Sequence, residues 1–319
     1  MKNPEISVVM SVYNGARYLR KAVESILLQE GVDFEFIIIN DGSTDETGGI
    51  LEDYRVKDHR IRIINQENQG LTKALILGCR EARGEFIARQ DSDDLSMKGR
   101  LLKLAEMLRN DSSLSFVSSW GEVIGPEDEP LLLYKRPENP DMATHQLLYE
   151  STGPPGHGSV MFRRSSYDKV GGYRPQFYYA QDSDLWLRMG MIGKISYYQE
   201  VLYQYRISEE SISGGLHYAK IPYANLIDEL HAARLAGERE EPILAKAPSL
   251  EEVKKNSSNS SSFSEDMTLY FIGKCLYERH DRRAVKYLSK CIKMNPLKLK
   301  AWAFLLASYL KNFKKQQAG

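Results

Sequence analysis

The chain opens with a short, nearly unbroken apolar run, Ile6 to Ser11, which predicts a strand covered on both faces. From Arg17 to Gln29 the apolar positions Leu19, Val23, Ile26 and Leu27 recur at helical spacing. Phe34 to Ile39 reads as a second buried strand, closed by the turn Asn40-Asp41-Gly42, and Ser43-Thr44-Asp45-Glu46 supplies capping residues for the next helix. Ile61 to Ile64 predicts a third strand, followed by a loop to Gly70 and a helix through Arg83. Phe86 to Ala88 predicts a fourth, running straight into Asp91. Strands alternating with helices predict an α/β domain with a Rossmann-like, mainly parallel sheet flanked by helices. In such sheets ligands bind beyond the carboxyl ends of the strands. The loops at Tyr13-Asn14, Asp41-Gly42 and Asp91–Asp94 all follow strands, so they are expected to converge on one crevice.

Past Gly125 the pattern loosens, with Pro126, Pro130, Pro137 and Pro140 marking loops. Thr152 to Gly158 is a Gly/Pro-rich loop before a strand expected over Ser159–Phe162, and Gly171-Gly172-Tyr173 predicts a turn before a helical stretch, Ala180 to Met189. The composition divides the chain into a main domain over 1–217, a helical connector over 218–255, a Ser-rich linker over 256–266 and a helical tail over 267–319.

Composition adds exclusions. Lys plus Arg and Asp plus Glu are equal at 43 each, which leaves no global field to attract nucleic acid. Hydrophobic residues make up 42% and charged residues 27%, an ordinary soluble globular composition. No stretch approaches the roughly 20 apolar residues that cross a bilayer, and the apolar opening is too short for a signal peptide. Cys79, Cys275 and Cys291 form no close pair and are odd in number, so they read as reduced thiols of a cytoplasmic protein.

Asp91-Ser92-Asp93-Asp94 sets three carboxylates in four residues after a buried strand. Hard divalent cations prefer such oxygen donors, and a bridging cation neutralises the charge that grows on a diphosphate leaving group. A solvated acidic helix N-terminus has the same composition. Asp41, at a strand end, suits a nucleobase N–H, and equally suits a turn. Gln181-Asp182-Ser183-Asp184 is a second acidic cluster, placing a carboxylate to take a proton from an acceptor hydroxyl or to cap a helix. His157, in the Gly-rich loop, and Arg206 are further candidates for acceptor or phosphate contacts; an exposed loop histidine and a surface ion pair are the plainer readings. No GxGxxG follows the first strand, and there is no GxxxxGK[ST], HExxH or GxSxG.

In this order, the segments ISVVMSVYNGARYLRKAVESILLQ, FEFIIINDGSTDET, NQGLTKALILGCREARGEFIARQDSDD, GHGSVMFRR, VGGYRP, AQDSDLWLRM and YRISEESIS resemble glycosyltransferase family 2, the inverting enzymes of GT-A fold. The resemblance covers residues 5 to 213. It implies that Ser11, Tyr13 and Asp41 bind the base of a nucleotide sugar, that Asp91 approaches its ribose, and that Ser92 also belongs to the nucleotide-sugar site. It implies that Asp93 is the metal-binding carboxylate of a DxD motif, for Mn²⁺ or Mg²⁺, and that Asp182 is the catalytic base. Gln181 stands where the family has Glu, and Ser208 where it often has His. A glycan or lipid-linked acceptor, UDP as the nucleotide, a role in surface polysaccharide synthesis and peripheral contact with the inner membrane face are further implications. Tyr270 to Tyr309 resembles a tetratricopeptide-like helix pair. One such pair cannot bury its apolar face alone, so it is expected to pack against the main domain or a protein partner.

Two rival readings remain at this level. One is a non-catalytic nucleotide-sugar-binding scaffold acting through the helical tail, which the retained carboxylates oppose. The other is a nucleotidyltransferase, which lacks its Gly-rich phosphate loop after Val12.

Overall fold

The computed structural model describes residues 3–208, 217–249, 251–252 and 265–316. Four strands, β1 (Ile6–Val12), β2 (Phe34–Asp41), β3 (Ile61–Gln66) and β4 (Phe86–Asp91), form a parallel array in the order β3-β2-β1-β4. Between them run α1 (Ala16–Leu27), α2 (Thr47–Lys57) and α3 (Leu71–Glu81). β1 and β2 are buried along their whole length because both faces are covered, whereas β3, at the edge, is mostly half-buried. Ile6, Val8, Met10, Phe36 and Ile38 point to one core, with Leu19, Val23 and Ile26 of α1. Val9, Ile37 and Ile39 point to the other, with Ala74 and Leu75 of α3. Burying such side chains contributes about 1.5–3 kcal/mol each, and this doubly covered sheet is the main stabilising element.

Beyond β4 the sheet turns antiparallel. β5 (Leu95–Ser96), β6 (Leu114–Ile124), β7 (Pro130–Tyr134), β8 (Met161–Arg163) and β9 (Lys194–Arg206) complete nine strands, with β8 antiparallel to both β4 and β6. The helices there are α4 (Arg100–Asn110), α5 (Pro140–Tyr149), α6 (Arg164–Lys169) and α7 (Gln181–Gly190). Asn139 caps α5 by accepting from the Met142 N–H at 2.9 Å.

The chain forms two compact units that interleave in sequence. The first comprises Met1–Gly121, Tyr134–Tyr205 and Pro222–Ser249, and the second Glu122–Leu133, Arg206–Ile221 and Leu250–Gly319. The division thus differs from a simple order along the chain: most of the connector, in α8 (His217–Ala236) and α9 (Glu241–Leu244), goes with the first unit. The Ser-rich linker falls mostly outside the described residues, and Glu265 already begins a helix.

In the second unit α10 (Glu265–Glu278), α11 (Ala284–Met294) and α12 (Leu299–Gln316) follow one another. A Cβ on Gly273 would lie 2.7 Å from Leu288 Cγ, so this glycine lets α10 and α11 approach closely. The helices meet the turn between β6 and β7: Tyr287 donates its hydroxyl to Glu129, and Lys286 pairs with Glu127. The expected partner of the tail is therefore a segment of this chain, residues 122–133. No described helix is long and apolar enough to cross a membrane.

Candidate active site

Strand register gathers the candidates of the first half. Ser11 lies opposite Asp91 across β1 and β4, and Val12 lies opposite Asn40 across β1 and β2, so Asp41 and Asp91 end neighbouring ladders at the same edge. The loop after β1 is tied to the loop after β2. The N–H groups of Asn14, Gly15 and Ala16, which open α1, donate to Ser43 Oγ (3.0 Å), Thr47 Oγ1 (3.0 Å) and Asp45 Oδ2 (3.2 Å). Asn14 holds a positive φ of 48° and accepts from the Thr44 N–H at 2.8 Å. Tyr13 projects from this loop, 53% exposed. Ser92 packs on its other side, its Oγ 3.4 Å from where a Cβ on Gly15 would stand.

Asp41 is almost wholly buried. Its Oδ1 accepts from Gln66 Nε2 (2.6 Å) and the Gln69 N–H (2.9 Å), and its Oδ2 from the Gly70 N–H (2.9 Å). It thereby holds the β3–α3 loop against the end of β2, while Oδ2 retains capacity for a further donor. Gly70, at φ 87°, also admits the ring of Tyr178, which lies 2.9 Å from where its Cβ would be. Thr72 Oγ1 donates to the Phe177 carbonyl at 2.6 Å. The segment leading to Asp182 is thus anchored on the loop that Asp41 organises.

Two buried arginines underlie the acidic loop. Arg89 donates to the Val9 carbonyl and, at 2.7 Å, to Asp91 Oδ1. Arg100 donates to the carbonyls of Arg89 (2.8 Å) and Gly158 (2.6 Å), to Ser96 Oγ (2.7 Å) and to Gln90 Oε1 (3.2 Å). Burial lowers its pKa to about 10, so it stays cationic at neutral pH. Tyr203 on β9 donates to Asp94 Oδ2 at 2.7 Å and accepts from the Asp91 N–H at 3.3 Å. Asp94 is thereby committed to the scaffold, and Asp93, half-buried in the same turn, is the carboxylate set between two anchored neighbours.

His157 joins this floor to α7. Its Nε2 faces the Tyr173 hydroxyl at 2.6 Å and Arg89 Nε at 3.4 Å. A guanidinium only donates, so Nε2 is the bare nitrogen and Tyr173 donates to it. Burial, and then the Arg89 charge, push the His157 pKa well below its ordinary value, and the ring is neutral. The ring also packs edge-on against Trp186 of α7, centroids 5.8 Å apart. Tyr173 has its pKa pushed well up, by burial first, with the Asp182 carboxylate among the lesser contributors. Asp182 is half-buried in the first turn of α7, where the helix dipole favours its anion. Ala180, directly before α7, takes φ 57°, a conformation that only a constrained segment keeps in a non-glycine residue.

Asp184 and Arg206 are each held in ion pairs. Asp184 is buried and paired with Arg188 (2.6 Å) and Arg174 (3.4 Å). Arg206 belongs to the second unit, where it donates to the Gly125 carbonyl (2.9 Å) and pairs with Asp128 (2.7 Å). A cavity of about 550 Å³ among Asp141, His145, Tyr149 and Lys194 holds none of the candidate residues.

Among the described residues no group of three or more His, Cys, Asp and Glu side chains is placed to hold a metal ion. Mg²⁺ does not need one, since it is commonly bound by one or two carboxylates together with substrate phosphates. Asp91 and Asp93, two residues apart in one turn, carry hard-oxygen carboxylates of that kind, so their chemistry fits a cation carried in with a diphosphate. Sequence reasoning missed Arg89, Arg100, Tyr173, Tyr178 and Tyr203. Arg89 alone left a signal, as a charge inside the buried run Phe86–Gln90.

A parallel α/β half feeding an antiparallel half, with carboxylates at the parallel strand ends, is the architecture of the GT-A sugar-transferring enzymes. The model of the family described as Glycosyl transferase family 2 matches residues 7–171, and the chain belongs to that family. It is 35% identical over 208 residues to the putative glycosyltransferase EpsE of Bacillus subtilis (strain 168), covering 64% of this chain and 73% of that protein. An uncharacterised glycosyltransferase of Haemophilus influenzae is 28% identical over 216 residues, covering 64% of this chain and 66% of its own length. The chain spans about two thirds of these relatives. Among solved structures, S. aureus TarS 1–349 in complex with UDP-GlcNAc superposes with a TM-score of 0.60 at 20% identity, covering 96% of this chain and 89% of that one. At that identity the likeness is one of fold.

Proposed function

We propose that the chain transfers a sugar from a UDP-linked donor to a hydroxyl of a glycan or lipid-linked acceptor, with inversion, in surface polysaccharide synthesis at the cytoplasmic side of a membrane. The observation that carries this reading is the continuous series Asp91, Arg89, His157, Tyr173, whose His157 packs on Trp186 and so joins the acidic turn to α7, the helix that carries Asp182 in its first turn. The binding of UDP-GlcNAc by TarS supports the choice of donor class.

In this reading the base and ribose lie over Ser11, Tyr13, Asp41, Asp91 and Ser92, and Asp93 holds Mg²⁺ or Mn²⁺ against the diphosphate. The cation supplies charge neutralisation for the leaving group. Asp182 accepts the proton of the acceptor hydroxyl as its oxygen bonds to the anomeric carbon and the carbon–diphosphate bond breaks on the opposite face. Arg89 and Arg100 keep the acidic turn in place. Neutral His157, at the meeting point of the two halves, lines the phosphate and acceptor side. Asp184 and Arg206 are accounted for by their ion pairs.

The test is turnover of a panel of sugar nucleotides with and without Mn²⁺, alongside Asp182→Asn. Release of nucleoside diphosphate that depends on a divalent cation, and that Asp182→Asn abolishes while donor binding persists, is expected. Full turnover by the variant would refute the role of Asp182.

A further inference from the structure

The last helix presents a face that the transfer site leaves unused. On α12, Ala301, Leu305 and Ser308 are buried, whereas Leu299, Trp302, Leu306 and Tyr309 are 77%, 42%, 58% and 49% exposed. Their spacing of three, four and three residues sets the exposed side chains along one stripe of the helix. Leu297, just before α12, is 86% exposed and lengthens the apolar surface. Charge is as unevenly placed. From Ala284 to Gly319 the chain carries eight lysines and no Asp, Glu or Arg, so the preceding 283 residues hold 35 cations against 43 acids. Lys286 and Lys298 are paired with Glu127 and Asp266, while Lys293, at the end of α11, and Lys300, on the flank of α12 next to Leu299 in sequence, are exposed.

A second helix would cover the stripe but would do nothing for so one-sided a charge, and a second copy of this lysine-rich end would repel it. A surface that is apolar just below and anionic above satisfies both features, and Trp and Tyr are the side chains that favour such a boundary. We propose that the exposed face of α12 is a membrane-surface contact, lying in the interfacial layer of an anionic bilayer. This does not depend on the transfer reaction, and its test reads no activity.

The full-length protein is mixed with sedimentable vesicles of phosphatidylcholine alone or with phosphatidylglycerol, at low and high salt. One lysine near an anionic surface changes partitioning about fivefold, so binding is expected on the anionic vesicles, with a loss of at least about tenfold in Lys293→Glu/Lys300→Glu. Trp302→Ala/Leu306→Ser should lose a comparable amount, and Leu299→Ser/Leu306→Ser, at side chains 77% and 58% exposed, should do so while keeping the wild-type melting temperature. No binding, or equal binding to both vesicle types, overturns the proposal. So does a concentration-dependent oligomer of the wild type that the Trp302→Ala/Leu306→Ser variant breaks, which would make the face a protein contact.

Discussion

Gly158 is the position where a single methyl group tests the floor of the site. A Cβ there would stand 1.7 Å from the Tyr203 hydroxyl, 2.6 Å from its Cζ and 2.9 Å from Asp91 Oδ2. Gly158→Ala therefore displaces Tyr203, breaking its bonds to Asp94 and to the Asp91 N–H. Overpacking costs about 1–3 kcal/mol, and a lost hydrogen bond to a charged partner about 1.5–3 kcal/mol, so the variant should lose roughly 3–5 kcal/mol. Tyr203→Phe removes the bonds without the clash and should lose about 2 kcal/mol. In the double variant the worst contact, to the hydroxyl, is gone and only the milder one to the ring carbon Cζ remains, while the bonds the hydroxyl made are lost only once. The combined loss should fall at least ~1 kcal/mol short of the sum. Urea unfolding followed by circular dichroism on all four proteins measures this, and additivity within about 0.5 kcal/mol would refute the arrangement of Gly158, Tyr203 and the acidic turn.

Three further outcomes follow from the same geometry. Asp41→Asn turns an amide toward donors that now meet a carboxylate oxygen; it should weaken donor binding at least about tenfold, read by calorimetry with UDP, the equivalent of one charged hydrogen bond. His157 is held neutral in the folded state, so the unfolded chain binds its proton more readily and stability falls as pH drops below about 6.5, by at most about 1.4 kcal/mol per pH unit. His157→Gln should remove that part of the slope, which urea titrations at pH 7.5, 6.5 and 5.5 would reveal; an unchanged slope contradicts the neutral assignment. Arg100→Gln should destabilise the fold and lower donor affinity together, because four acceptors lose their donor, whereas Arg100→Lys should recover only part of either, read by melting temperature and donor titration.

The parallel half was legible in the sequence because each strand is a short, mainly apolar run stopped by turn residues, and register then carries Ser11, Asp41 and Asp91 to one edge. The floor of the site was not. Tyr203 and Asp94 are 109 residues apart, and a buried arginine such as Arg100 adds no period to a helix that reads normally without it. The second unit is assembled by contacts such as Tyr287 with Glu129, 158 residues apart, which no local composition announces. Asp184 illustrates the opposite case. Its neighbour Asp182 makes it look like half of an acidic pair, yet Arg188, four residues on, marks a helical ion pair.

The central claim is that the acidic turn and the first turn of α7 face one bound donor. Crystals grown with UDP and Mn²⁺, measured at an anomalous wavelength of manganese, test it most directly. The account predicts one strong peak between Asp93 and the diphosphate, with the β-phosphate separated from the Asp182 carboxylate by the space of a sugar and an attacking hydroxyl. A peak away from Asp93, or a diphosphate turned away from α7, would contradict it.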